Sequence, residues 1–490
     1  MAEQAARRAD GEMGRIDRLY PRVAGALIAA AAGDALGWIT EFVRGVDHLR
    51  TLYHTDFVTD YRPWQKTTGG RFNAYVDYIS KGQYSDDTQL TLATARSLLP
   101  DGSIDVDHFA SKELPLWLDY ARGAGRTVTA AARGLRRKSS RWNHNFFDQG
   151  VSEGSISYRN AGANGAAMRI APIAIANRSN PARMTTAIVR NAVTTHGHPR
   201  AILGALIYGE ALRFCLVEQR FSPQTMIESL IDFSSAIQFP VDPDLEVWLR
   251  EWDRGSTQPF ERLWDQTLHE VRSALTSLSR PEGEADWKRA LVEFGCFDRQ
   301  TRGSGTATVL AALAIFYHIG AALPRAVVTA VNQIGTDTDT IAGFVGGLCG
   351  AVHGYDAVPR KWASELQDYD YFMRVATELT SLAAGNPAMG GRALLPAARD
   401  EFQKLPDLVT QLRNHSVNEG ELVYHPLFGR GTIRSVEAQV LRRRDGAQAV
   451  FAWVEFFIGQ TCKFRYIEVP RRGSRRSPKQ VMAEPTPPDT

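Results

Sequence analysis

The sequence predicts a mainly α fold, a large all-helical domain followed by a small C-terminal antiparallel β-barrel. Three observations predict it. From about residue 22 to residue 400, Ala-rich apolar stretches such as 201–212 and 308–319 recur, broken by Gly and Pro, and few windows alternate as strands do. After Pro406 the chain changes: 431–442, 447–458 and 461–469 are rich in Val, Ile, Phe, Trp and Tyr. Asp445-Gly446 and Gly459-Gln460 separate these stretches as hairpin turns. Finally, 490 residues with 44% hydrophobic and 23% charged side chains are an ordinary globular composition, long enough to bury a sizeable core.

In chain order, residues 1–20 form a polar start, expected to be a flexible N-terminus. Residues 21–405 form the helical domain, with long loops around 50–82 and 135–165. Residues 420–470 form the barrel. Residues 471–490, with Arg471, Arg472, Arg475, Arg476 and four prolines, read as a disordered basic tail. The net charge of +3 is too small to imply a nucleic-acid partner by itself. It is unevenly placed, because 421–490 holds 12 Lys and Arg against 7 Asp and Glu, net +5, which leaves 1–420 at −2.

Cys215, Cys296, Cys349 and Cys462 lie far apart with no CxxC pair, which argues against a disulfide scaffold or a zinc site. The apolar run 23–32 is preceded by Asp10, Glu12 and Asp17 and followed by Asp34, a poor signal peptide. The run 307–323 is interrupted by Thr308 and His318, ended by Pro324, and shorter than the roughly 20 apolar residues a span needs. A cytoplasmic protein without a membrane partner is expected.

Two acidic segments stand out. Ser85-Asp86-Asp87-Thr88 opens the helical run 89–99, and Asp337-Thr338-Asp339-Thr340 opens the apolar run 341–352. Ser, Thr and Asp at a helix start cap orphan N–H groups and complement the helix dipole, which accounts for either segment alone. Two such segments, each flanked by an apolar helix, would bury four carboxylates. A hard divalent cation held by carboxylate and hydroxyl oxygens relieves that cost, and without nearby Cys the set suits Mg²⁺ or Mn²⁺.

Three further segments carry both structural and chemical readings. In 33–41, Gly33 and Gly37 cost helix stability, about 1 kcal/mol each, and so need a close-approach reason. Asp34 reads as a structural acid bonded to backbone ahead of a ligand, whereas Glu41 reads equally as a solvated acid or a catalytic one. Ala163-Asn164-Gly165-Ala166-Ala167-Met168 is either a tight helix crossing or a junction that admits a phosphate. His196 and His198 suggest a metal pair, but Pro199 reads as a turn before a new helix.

Together and in this order, these segments over about 22–375 resemble the ADP-ribosylglycohydrolase family. The resemblance implies an orthogonal all-helical domain and two Mg²⁺ ions, Mn²⁺ also being suitable. By position it implies Ser85, Asp86 and Asp87 as one metal-ligand set and Asp337, Asp339 and Thr340 as the other. It implies Glu41 or Asp86 as the catalytic carboxylate. Asn164, Gly165, Met168, His196 and, more loosely, Ser304 fall where the family binds substrate. Ser85 stands in place of threonine and keeps the hydroxyl ligand, while Thr336 and Ala163 stand in place of glycines, departures that bear on cleft size. The implied reaction is hydrolysis of the C1″ glycosidic bond of an ADP-ribosylated protein or nucleic acid. The alternative is an ADP-ribose-binding or toxin-neutralising protein that needs no catalysis.

Residues 423–433, Val-Tyr-His-Pro-Leu-Phe-Gly-Arg-Gly-Thr-Ile, with Trp453-Val454-Glu455-Phe456, resemble small Tudor/SH3-like barrels of bacterial helicases and transcription-coupling proteins. This implies a protein or nucleic-acid contact, to which Arg442–Arg444 and the tail add basic charge; a solubilising appendage is the plainer reading. His425 reads as a turn residue. If the substrate is a nucleic acid, deleting 421–490 is expected to impair activity on long substrates and spare small ones.

Overall fold

Ala, Glu, Gln and Arg, all strong helix formers, dominate the first residues and set α1 (Ala2–Gly37) in one unbroken helix with Pro21 inside it. The loose start expected for 1–20 is therefore part of the first helix. The computed structural model describes residues 2–70, 73–137, 139–151, 154–218, 220–240, 242–279, 286–385, 390–396, 405–441 and 447–467. The elements that frame the site are, in order, hairpin β1 (Trp64–Thr68) and β2 (Tyr75–Ile79), α2 (Asp86–Arg96), hairpin β3 (Asp148–Val151) and β4 (Gly154–Ser157), α3 (Pro199–Val217), α4 (Gly305–Ile319), α5 (Thr338–His353) and α6 (Tyr369–Ala383). The two hairpins occupy the stretches expected to be loops. Gly69 and Gly70, at φ +93° and +70°, make the first turn between two short runs that pair in register.

The centre of the helical part is the antiparallel pair α1 and α5. A Cβ built on Gly33 would stand 2.2 Å from the Ala342 carbonyl oxygen, and one on Gly37 would stand 2.3 Å from that of Thr338. One on Gly346 would meet the Ala29 oxygen at 2.1 Å. Only glycine permits this approach, which supplies the reason the helical glycines needed. It brings the last turn of α1 against the first turn of α5.

Residues after Pro406 form β5 (Leu422–His425), β6 (Gly429–Val440), β7 (Gln448–Phe456) and β8 (Thr461–Ile467), an antiparallel meander in the order β5-β6-β7-β8. Among the described residues these strands form one four-stranded antiparallel sheet, the C-terminal β unit that was expected, with β5 and β8 at its edges. Here Val423, Phe428, Ile433, Val454, Phe456 and Phe464 join the helical core in one continuous cluster. His425 is a buried strand residue with its ring stacked on Phe428, not a turn residue. Arg442–Arg444, Asp445-Gly446 and the tail 471–490 lie outside the described residues. The four cysteines are buried free thiols, and no described helix is long and apolar enough to cross a membrane.

Candidate active site

Three helix ends converge. Asp34, on the last turns of α1, accepts hydrogen bonds from the Ser85 N–H (3.1 and 3.2 Å), the Thr88 N–H (3.1 Å) and the Thr88 hydroxyl (2.5 Å). It caps α2 from a neighbouring helix, and so is the structural acid the sequence suggested. α5 supplies the third end, where the Thr340 hydroxyl donates to Asp87 Oδ2 at 2.7 Å. Ser85, at the N-cap of α2, spends its hydroxyl on the Asp87 N–H at 3.2 Å.

Crowding the acids perturbs them. Burial pushes the Asp86 carboxyl up to about 7, helped by the charge of Asp34 and opposed by the Gly125 N–H and Lys66. Burial pushes Glu41 up to about 8, reinforced by Asp337 and opposed by Lys66. Asp87 and Asp339 are driven well above the usual carboxylate range, again by burial first and by neighbouring acids second. The Gly125 N–H donates to Asp86 Oδ2 at 3.3 Å, and Gly123 leaves room for its other oxygen.

Above the acids opens a cleft of about 440 Å³ with Glu41 and Asp337 in its wall. Its rim carries Arg126, Arg200, Arg299 and Arg302, together with His198. Two loops are zipped to form one side: the Asn164 N–H donates to the Gly303 carbonyl and the Gly305 N–H to the Gly162 carbonyl, both at 2.9 Å. This leaves Ser304 facing the cleft and lets the Asn164 amide donate to Asp337 Oδ2 at 3.2 Å.

The structure thus gathers Glu41, Ser85, Asp86, Asp87, Asp337, Asp339, Thr340, Asn164 and Ser304 around one centre. It sets Gly165, Met168 and His196 a layer behind the cleft wall. The 3₁₀ turn Asn164–Arg169 points inward, so Met168 lines a small cavity with Asp87 and Thr340 behind the acids. His196 is fully buried behind Gly165, bonded through Nδ1 to the Thr195 hydroxyl at 2.7 Å. Its neighbour His198, the N-cap of α3, faces the cleft instead.

Sequence reasoning missed the arginine rim and Lys66. Lys66 stands on β1 with its ammonium 4.4 Å from the Trp38 ring centre and 4.8 Å from that of Phe42, its charge facing Glu41, Asp77 and Asp86. Recognition of the β1–β2 hairpin was the signal that could have found it.

Among the described residues, no three His, Cys, Asp or Glu side chains already stand close enough together to hold an ion. The chemistry of the set nevertheless fits a hard cation: the donors are carboxylate and hydroxyl oxygens, and the acids outnumber the basic groups beside them.

A model of the ADP-ribosylglycohydrolase family matches residues 15–388, which leaves β5–β8 outside it. The ADP-ribosyl-[dinitrogen reductase] glycohydrolase of Rhodospirillum rubrum is 26% identical over 349 residues, 71% of this chain and 91% of that protein. ADP-ribosylhydrolase ARH3 of Homo sapiens is 27% identical over 370 residues, 72% of this chain and 91% of its own. A solved structure titled "ADP-ribosylglycohydrolase-related protein complex" shares the fold, with a TM-score of 0.50 and 21% identity over 74% of this chain and 98% of that one.

Proposed function

Since the chain belongs to the ADP-ribosylglycohydrolase family, we propose that it hydrolyses the C1″ glycosidic bond of ADP-ribosylated macromolecules and releases ADP-ribose. The observation that carries this reading is the pairing of an acid cluster with an arginine-rimmed cleft directly above it. A ribose presents hydroxyls to the acids while the attached diphosphate meets guanidinium groups.

Ser85, Asp86 and Asp87 would hold one divalent ion, and Asp337, Asp339 and Thr340 the other, Mg²⁺ or Mn²⁺ suiting these oxygens. Such ions, when bound, polarise ribose hydroxyls and neutralise the acids. Arg126, Arg299 and Arg302 hold the diphosphate, and Asn164 fixes Asp337 in the cleft wall. Of the two candidate catalytic carboxylates, Glu41 lines the cleft, whereas Asp86 does not and its Oδ2 accepts the Gly125 N–H. Glu41 is therefore placed to relay the proton. A water oxygen bonds to C1″, the bond from C1″ to the acceptor breaks through an oxocarbenium-like state, and the acceptor leaves with a proton.

The test is release of ADP-ribose from arginine-, serine- and base-linked substrates, with Mg²⁺ or Mn²⁺ and with a chelator. Release from one linkage, lost with chelator and in Asp337→Ala, is the expected result. Silence on every substrate while ADP-ribose still binds would overturn the reading in favour of a binding protein.

A further inference from the structure

The C-terminal sheet lies beyond the family match, yet two of its polar contacts run inward to the acid cluster. On β8, Lys463 is buried and its ammonium donates to Asp77 Oδ1 at 3.0 Å. Asp77, on β2 and also buried, takes a second cation, Arg122, at 3.1 Å. The Arg122 guanidinium is centred 5.2 Å from the ring of Trp453 on β7 and 5.4 Å from that of Trp38. One residue further along, Gly123 abuts Asp86, and Gly125 donates to it. Arg465 grips the same loop, its backbone N–H donating to the Asp119 carbonyl at 3.2 Å and its guanidinium to that of Ala121 at 3.1 Å.

A second path is independent of the first. The Thr461 N–H donates to Asp368 Oδ1 at 2.9 Å, and the Tyr84 hydroxyl donates to Asp368 Oδ2 at 2.6 Å. Tyr84 directly precedes Ser85.

Charges taken out of water hold their places firmly, because removing one partner strands the other. A satisfied buried network also stiffens what it connects. We infer that Lys463 and Asp368 are positioning residues of the hydrolase centre, through which the C-terminal sheet fixes the loop that holds Asp86 and the helix N-cap formed by Ser85. The inference rests on reading Ser85–Asp87 as cation ligands. It makes the sheet a component of the reaction centre and not a detachable recruiting module.

The test uses the full chain and the variants Lys463→Met, Lys463→Arg and Asp368→Asn. Mn²⁺ affinity is measured by calorimetry, beside thermal unfolding, ADP-ribose affinity and the rate on a small ADP-ribosyl substrate. Outer partners of metal ligands commonly change affinity or activity by about 10- to 100-fold. Lys463→Met and Asp368→Asn should each weaken Mn²⁺ about tenfold or more while the folded protein keeps its ADP-ribose affinity, and Lys463→Arg should recover most of the loss. Unchanged Mn²⁺ affinity in the folded variants overturns the inference. So does a loss that merely tracks loss of fold, which would leave the sheet a stabilising role alone. Wild-type protein that binds Mn²⁺ but is silent on every substrate would instead defeat the hydrolase reading, and the Mn²⁺ comparison would still report on positioning.

Discussion

Gly37→Ala tests the idea that the site is set by how closely α1 meets α5. The added Cβ would stand 2.3 Å from the Thr338 oxygen and 2.5 Å from the Asp339 Cα, both backbone atoms that no rotamer change can move. Reaching the 3.4 Å at which ordinary contact begins requires the helices to part by about 1.1 Å. Overpacking of this kind costs roughly 1–3 kcal/mol, against which the better helix propensity of alanine returns about 1 kcal/mol. The shift falls on the turn that carries Asp337, Asp339 and Thr340, and misplacement of about 1 Å at a reaction centre can cost on the order of 10²-fold in rate. Gly343→Ala on the same helix is the control: its Cβ would lie 3.5 Å from the nearest atom, the Ala30 oxygen, so it should hold or gain stability and keep its rate. Thermal unfolding and initial rates of ADP-ribose release, measured on both variants, decide the matter. Equal stability and equal rates in the two would refute the claim that backbone contact sets the geometry.

Other outcomes are expected elsewhere. Arg302→Ala should raise KM for ADP-ribosyl substrates with little change in kcat, because it removes the proposed diphosphate contact and leaves the acids in place; steady-state kinetics separate the two constants. Glu113→Ala strands the fully buried Arg96, which makes two 2.8 Å bonds to that carboxylate, and should cost roughly 3–5 kcal/mol in denaturant titration. His425→Phe should blunt acid destabilisation. Burial lowers the His425 pKa to about 3, so its stabilising contribution is complete above the unfolded value of about 6.5 and is lost as pH falls towards 3. The wild type should therefore lose about 1.4 kcal/mol per pH unit below 6.5 through this residue, or about 2 kcal/mol at pH 5. Unfolding midpoints of the two proteins at pH 7 and pH 5 should diverge by that amount.

Local physics made part of this legible. The acidic segments announced themselves because carboxylates beside apolar helices are costly without a purpose, and Gly33 and Gly37 announced a close contact because helices tolerate glycine badly. Asp34 was readable as structural for the same reason. The rim was not readable, since Arg126, Arg200 and the pair Arg299 and Arg302 come from three distant segments that share no local pattern. His196 and His198 sit two residues apart with similar surroundings in sequence, and only the packing of the 3₁₀ turn decides which one reaches the cleft. The strands after Pro406 were visible, but alternation does not reveal what will cover a sheet's apolar face. The packing of these strands against the helical core was therefore not readable.

The same gap misdirects a natural experiment. If the C-terminal region were a tethered recruiter, deleting 421–490 would spare small substrates, but a sheet whose side chains complete the helical core cannot be removed without exposing that core. Recruitment is better asked of side chains that face solvent. Val440 is 69% exposed and Phe457 61% exposed, and neither lies on the paths through Lys463 or Asp368. Val440→Ser and Phe457→Ser should leave stability and small-substrate rates unchanged. A loss confined to macromolecular substrates would give the sheet a recruiting surface in addition to its inner role. Lys463→Met, by contrast, should slow every substrate alike, because the role proposed for Asp86 concerns the ribose and not the acceptor. The two effects are separable by substrate size on the intact chain, which truncation cannot offer.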